Sequence, residues 1–221
     1  MNIIVVGNGK LAKSMLAGFS HNNKVIKWDE YDKTIFEKGI VIHTGSGRQL
    51  GECIEYCEKS KSVLLELSTG TRIENSSHSC PIVICPNTAI PVLRVMQMLR
   101  TYGKYFSKYK IRIVESHQKT KKTVAGTAIE MSKSLDHPAE EIESVRDEEM
   151  QKNVIRIPEE HLNLHAYHKI MIEDAGCEIK LETKILGHAS YVSGVEEIIE
   201  MLKQKPLLNK IYYITDLLSY C

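Results

Sequence analysis

The 221-residue sequence has almost no charge imbalance: 29 lysines and arginines against 28 aspartates and glutamates leave a formal net charge of +1. A chain so balanced offers no general attraction for nucleic acid or an anionic membrane surface. Its densest basic cluster, Lys119, Lys121 and Lys122, is too small for a nucleic-acid footprint and reads better as a local anion site. No stretch reaches the roughly 18 apolar residues needed to span a bilayer. No basic segment with a long apolar run opens the sequence, which leads directly into a strand pattern at Asn2 to Val6. The six cysteines (Cys53, Cys57, Cys80, Cys85, Cys177 and Cys221) fit no zinc or redox spacing, and Cys53 and Cys57 fall on one face of a helix. Together these absences predict a cytoplasmic protein with reduced thiols and no nucleic-acid or membrane partner. There is no internal repeat and no low-complexity segment. What remains is an ordinary globular composition, 43% apolar and 26% charged, long enough for one large domain or two modest ones.

The first ninety or so residues alternate short apolar runs with helical patterns. Strands are expected at Ile3–Val6, Lys24–Trp28, Ile40–His43, Val63–Leu67 and Ile82–Cys85, with helices clearest at 10–20 and 47–59. Continuous apolar strands between helices predict a parallel sheet covered on both faces. Pro91 suits the first turn of a helix running to about Tyr105. Beyond it come a strand at Lys110–Val114, a helix at Thr127–Leu135, and an irregular charged stretch from Ala139 to Gln151. Two alternating segments, His168–Ile172 and Cys177–Leu186, then read as an antiparallel hairpin around Glu173–Gly176. Helical patterns at 193–203 and 212–219 close the chain. The expected architecture is α/β: a Rossmann-like dinucleotide-binding domain (1–88 and 192–221) with an inserted α+β mixed-sheet domain (89–191).

Gly7-Asn8-Gly9-Lys10-Leu11-Ala12 follows the first strand and opens a helix, the glycine-x-glycine-x-x-small form of the dinucleotide fingerprint. The first glycine makes the tight turn, the second admits the pyrophosphate, and the small residue allows close packing of helix on strand. Phosphates then meet the free N–H groups of the helix start. Asp29 ends the second strand, where a carboxylate binds the ribose hydroxyls. It is followed by Glu30 and Tyr31 rather than an arginine, so NADH is favoured over NADPH, although Lys10 and Lys33 soften that preference. Two more loops, at Thr44-Gly45-Ser46-Gly47 and Ser68-Thr69-Gly70-Thr71, lie at strand ends where open α/β sheets bind ligands. They are candidates to touch ribose or nicotinamide.

The second candidate region is Glu115-Ser116-His117-Gln118-Lys119-Thr120-Lys121-Lys122-Thr123-Val124-Ala125-Gly126-Thr127-Ala128. His117 titrates near neutrality and is a natural proton donor. Lys121 supplies a full positive charge. Thr127 with Glu130 fits a capping box, and Gly126 stands just ahead of it, so the helix start is a ready carboxylate site. This stretch resembles the signature of the dihydrodipicolinate reductases, close to Glu-x-His-His-x-x-Lys-x-Asp-Ala-Pro-Ser-Gly-Thr-Ala. Glu115, His117, Lys121, Gly126, Thr127 and Ala128 match it, with one residue deleted within 123–125. Pro86-Asn87-Thr88 falls where that family has Ala-Asn-Phe, Ser68-Thr69-Gly70 resembles its Gly-Thr-Thr-Gly loop, and Gly194 with its helix matches the C-terminal return. The sequence departs from the family at Gln118, which replaces the second histidine, at Thr123-Val124-Ala125, and at Lys10-Leu11-Ala12.

The resemblance implies a Rossmann domain plus a mixed-sheet domain that forms homotetramers. It implies His117 as general acid, Lys121 as catalytic or clamping cation, and Gln118, Gly126 and Thr127 at a dicarboxylate cyclic-imine substrate. Gly7, Asn8, Gly9, Lys10, Leu11, Asp29, Thr44, Gly45, Ser68, Thr69, Gly70 and Asn87 would serve the nucleotide. The implied reaction is hydride transfer from NADH, or NADPH, to dihydrodipicolinate in the diaminopimelate branch of lysine biosynthesis. Two alternatives stay open: a same-fold reductase of another imine or amino-acid-derived substrate, and a non-catalytic nucleotide sensor. His161, His165 and His168 are spaced so that the first two share a helical face, but no zinc-protease motif is formed, and packing or substrate-domain contacts are expected there rather than a metal.

Overall fold

A computed structural model describes residues 1–19, 24–68, 73, 77–204 and 206–218. It divides into two compact units, Met1–Ala89 with Tyr191–Cys221, and Ile90–Ser190.

The first unit is built on a six-stranded sheet whose strands pair in parallel throughout the described residues. Its strands are β1 (Asn2–Val6), β2 (Lys24–Lys27), β3 (Gly39–His43), β4 (Val63–Glu66), β5 (Ile82–Ile84) and, from the end of the chain, β10 (Ile211–Tyr213), in the order β10-β5-β4-β3-β1-β2. Every residue of β1 and β3 is buried, as parallel strands covered on both faces require. Helix α1 (Lys10–Gly18) connects β1 to β2, and α2 (Leu50–Ser60) connects β3 to β4. The inner face of α2 presents Cys53, Tyr56, Cys57 and Ser60, the spacing of one helical stripe. Tyr56 meets Trp28 and Tyr31 edge-on, each at 5.7 Å between ring centres. Burial pushes the Cys53 thiol up to about 12, so this cysteine packs as an apolar group. Two expectations need correction. β2 stops at Lys27, and Asp29 sits in a single 3-10 turn (Trp28–Glu30) just beyond it. The helical pattern at 212–219 begins as β10 and leaves only the short α7 (Ile214–Leu217). Helix α6 (Ala189–Gln204) runs at helical periodicity with Val192, Val195, Ile198, Ile199 and Leu202 buried.

The second unit pairs α3 (Ile90–Tyr102) and α4 (Gly126–Ser134) with a four-stranded mixed sheet. Its order is β7 (Glu143–Val145), β6 (Lys110–His117), β8 (His165–Asp174), β9 (Cys177–Leu186). β6 runs parallel to β7 and antiparallel to β8, and β8 turns into β9 through Ala175 and Gly176, both in the left-handed region (φ 43° and 89°). The stretch from Ala139 to Gln151 is ordered rather than irregular. It holds β7 and then α5 (Glu148–Asn153), whose N-cap Asp147 accepts a hydrogen bond from Met150 N at 2.8 Å. The histidines at 161, 165 and 168 share no helix: His161 ends a 3-10 turn, whereas His165 and His168 lie on β8. Among the described residues no helix is long and apolar enough to cross a membrane.

Candidate active site

In the first unit the fingerprint residues gather at the C-terminal ends of the parallel strands. β1 lies between β2 and β3, so the chain reverses direction of winding at the β1/β3 boundary, where open sheets of this kind leave a ligand crevice. Gly7 turns there with φ 118°. A Cβ on it would stand 2.5 Å from Thr44 Oγ1, so only glycine lets the two strand ends close. Thr44 reciprocates by donating from both its amide (2.9 Å) and its hydroxyl (2.8 Å) to the Val6 carbonyl. Gly9 is the N-cap of α1, and the space where its Cβ would lie is open. The first helical bond runs from Lys13 N to Gly9 O, which leaves the amides of Lys10, Leu11 and Ala12 without a helical acceptor. Asn8 stands exposed between the two glycines. Asp29 is exposed beyond β2, with Lys27 Nζ at 3.6 Å.

Beneath the next two loops lies a pair that sequence reasoning missed. His43 ends β3 and Glu66 ends β4, and Nδ1 meets Oε2 at 2.7 Å with both side chains at 0% exposure. His43 Nε2 faces the Arg48 carbonyl at 2.8 Å, and Glu66 Oε1 accepts from Ser68 N at 2.6 Å. Ser68 Oγ in turn accepts from Ser46 N at 2.9 Å. A Cβ on Gly45 would fall 2.7 Å from both the Arg48 carbonyl and His43 Nε2. Burial alone would lower the His43 pKa, but the bonds to Glu66 and the Arg48 carbonyl outweigh it and raise it. Asn87 is buried just past β5, its Oδ1 accepting from Ala89 N at 2.9 Å. Thr69 and Gly70 lie outside the described residues.

In the second unit the strand period places Glu115 and His117 on one face of β6. Glu115 is completely buried, and its Oε2 accepts from His117 Nδ1 at 2.7 Å. Ser144, opposite Glu115 on β7, donates to Oε1 at 2.5 Å, and Arg146 donates to both oxygens. Burial would raise this carboxyl, yet the bonds from His117, Arg146 and Ser144 prevail and hold it at about 2. His117 is 15% exposed, and among the described residues its Nε2 makes no hydrogen bond. His168, opposite Glu115 on β8, presents its ring edge-on to His117 at 5.6 Å. Burial, then the neighbouring His117, lowers His168 to about 4, so it stays neutral. His165 on the opposite face bonds Ser116 Oγ at 3.0 Å.

Gln118 is half-buried directly after β6, and its carbonyl accepts from Lys121 N at 2.9 Å. Among the described residues no carboxylate pairs with the Lys121 ammonium. Gly126 and Thr127 are the first two residues of α4. The capping box does not form: Ala125 is the N-cap, and Glu130 pairs with Lys133 at 2.8 Å. Ser144, Arg146 and Gln151 went unread in the sequence because they sit in the stretch without apolar pattern. The Glu-x-His spacing on a strand was the one available signal for the buried carboxylate.

A family model described as dihydrodipicolinate reductase, C-terminus, matches residues 92–218. Among curated proteins, the probable 4-hydroxy-tetrahydrodipicolinate reductase 1, chloroplastic, of Oryza sativa subsp. japonica is 29% identical over 131 residues, covering 55% of this chain and 38% of that protein. The 4-hydroxy-tetrahydrodipicolinate reductase 1, chloroplastic, of Arabidopsis thaliana is 27% identical over the same length and shares. The chain thus spans about 38% of the length of these curated relatives. A dipicolinate-bound dihydrodipicolinate reductase from Paenisporosarcina sp. TG-14 superposes with a TM-score of 0.67 at 16% identity, covering 97% of this chain and 98% of that one. That likeness establishes the fold, a Rossmann-like domain joined to a mixed-sheet domain. With the family model matching more than half of its residues, the chain belongs to the dihydrodipicolinate reductase family.

Proposed function

We propose that this chain is a pyridine-nucleotide-dependent reductase that converts dihydrodipicolinate to tetrahydrodipicolinate. The observation that carries the reading is the buried Glu115–His117 pair, which occupies Nδ1 and leaves Nε2 unbonded, close in sequence to Lys121 and the start of α4. Gly7, Gly9 and the free amides of α1 suit a pyrophosphate, and Asp29 suits the ribose hydroxyls, so the residues present fit a dinucleotide. When bound, the reduced nicotinamide supplies the hydride.

The chain's own residues do the rest. Lys121 and the N–H groups at Gly126 and Thr127 bind the two substrate carboxylates. His117 gives a proton from Nε2 to the conjugated imine, so that one double bond is replaced by two bonds to hydrogen and the imidazole is left neutral. Glu115 fixes the tautomer by holding Nδ1–H and stabilises the imidazolium from which the proton leaves. NADH is the preferred reductant, because Asp29 repels a 2′-phosphate, and the family likeness supports a homotetramer. The divergent Gln118 and Thr123–Ala125 favour, as a second reading, a reductase of a related cyclic imine.

The test is NADH oxidation with freshly prepared dihydrodipicolinate. Turnover by the parent is expected, with kcat lowered at least about 100-fold in His117→Gln and Lys121→Ala, the scale of a positioned acid–base group. A parent that binds NADH but does not turn over overturns the assignment. A Lys121→Ala variant matching the parent removes the clamp.

A further inference from the structure

We propose that Arg146 is a positioning residue that locks the proton donor and the Lys121 loop into one rigid unit. The inference rests on the reading that His117 and Lys121 act on substrate.

Arg146 follows β7 directly, and β7 pairs with β6 so that Ser144 lies opposite Glu115 and Val145 opposite Ser116. The guanidinium is thereby delivered to the end of β6 that carries His117. Its Nη1 and Nη2 grip the two oxygens of Glu115 at 3.2 and 2.5 Å. Nε donates to the Lys121 carbonyl at 2.9 Å, Nη2 to the Thr123 carbonyl at 3.2 Å, and Nη1 to the Val145 carbonyl at 3.0 Å. A guanidinium has five N–H donors, and here each has an acceptor. An arginine beside a carboxylate-binding site would ordinarily be read as a ligand for the substrate. This one has no donor left to offer, so it acts through Glu115 and through the loop.

Residues 118–125 have no regular structure, and the two carbonyls held by Arg146 flank Lys122. Gln151 on α5 completes the brace by donating to the His117 carbonyl at 2.8 Å and to Val145 O at 3.2 Å. The charged and titratable groups around the acid are Glu115 on its own strand, Arg146 after β7, and the neutral His168 on β8, with His165 on the far face of the sheet. Lys119 and Glu148 pair with each other at 4.0 Å on the exposed side. Among the described residues Arg146 is therefore the one cation that competes with His117 for Glu115. Removing it leaves the buried carboxylate to His117 and Ser144, and the imidazole then holds its proton more tightly.

Arg146→Gln and Arg146→Lys separate the two roles. In Arg146→Gln the His117 titration, followed by NMR of the imidazole, is expected to move up by at least about one pH unit. Amide hydrogen exchange across 118–125 should also accelerate at least about tenfold, and KM for substrate should rise while NADH affinity stays unchanged. Arg146→Lys returns a charge to Glu115 but cannot span both carbonyls, so it should restore the titration and leave exchange fast. Ser144→Ala should shift the titration without touching exchange. A raised KM with unchanged His117 titration and unchanged exchange would make Arg146 a substrate ligand and overturn the inference, as would no change in any readout. Titration and exchange need no turnover, so a chain inactive toward dihydrodipicolinate sinks the reductase assignment while these two measurements still decide the role of Arg146.

Discussion

Each of the two units buries a glutamate against a histidine at the end of a strand, with the same 2.7 Å between Nδ1 and Oε2. What surrounds the second ring nitrogen separates them. In the first unit His43 Nε2 faces the Arg48 carbonyl and Nδ1 faces Glu66, so both ring nitrogens are already engaged by the protein. That pair is a buried structural contact under the loops that follow β3 and β4. In the second unit Glu115 takes Nδ1 of His117 and nothing among the described residues takes Nε2. A buried Glu–His pair is therefore not in itself a sign of catalysis. The nitrogen left over is what would let one of them transfer a proton, as proposed for His117.

The sharpest way to break this contrast is to remove one partner in the first unit. Glu66→Leu leaves the buried His43 ring without its carboxylate and is expected to cost about 3–5 kcal/mol of stability, whereas His43→Leu/Glu66→Leu together should recover most of it. Urea unfolding measures both. If the double variant is as unstable as Glu66→Leu, the pair is not the isolated contact described. His43→Gln should in addition leave kcat nearly unchanged, in contrast to His117→Gln.

The two pairs should also fail at opposite ends of the pH scale. Glu115 is held at about 2 against an ordinary 4.5, so its contribution is present above pH 4.5 and lost as pH falls toward 2. The shift corresponds to on the order of 3 kcal/mol. The pKa of His43 is raised above its ordinary 6.5, so its contribution is complete below pH 6.5 and lost as pH rises through the higher folded value. Stability measured against pH should thus lose its acid edge in Glu115→Gln and its alkaline edge in His43→Gln. Exchange of those edges between the variants would refute the assignment of the charges.

These pairs also mark where the sequence was readable. β1 and β3 stand out as apolar runs because both their faces are covered, and the turn at Gly7 and the imidazole at His117 stand out by chemistry. β8 reads from His168 in the sequence, yet pairing starts at His165, because His165-Ala166-Tyr167 owes its burial partly to a hydrogen bond between the imidazole and the Ser116 hydroxyl. Hydropathy patterning cannot register a polar side chain that is buried because it is satisfied. β7 is short, and its pairing with β6 is reinforced by an exposed Arg112–Glu143 ion pair rather than an apolar face. Arg146 is legible only once β7 and β6 are side by side, since its carboxylate partner is 31 residues away. His43 and Glu66 present the same difficulty, each reading as a polar interruption in an apolar strand.

The smallest expected effect tests whether the first unit contributes to binding alone. Asp29 is 45% exposed, so the repulsion of a 2′-phosphate proposed for it would act through water. At about 4 Å in that medium two unit charges interact by about 1 kcal/mol, roughly a fivefold ratio in Kd. Asp29→Asn should therefore narrow the proposed preference for NADH over NADPH by about that factor, read by fluorescence titration of each nucleotide. The His117 titration and the exchange of 118–125 should stay where they are, because Asp29 belongs to the nucleotide's edge of the sheet and has no part in the Glu115 network. A change of more than about a hundredfold in nucleotide preference would mean that Asp29 works in a desolvated pocket. A shift in the His117 titration would mean that the two units do not divide binding from proton transfer in this way.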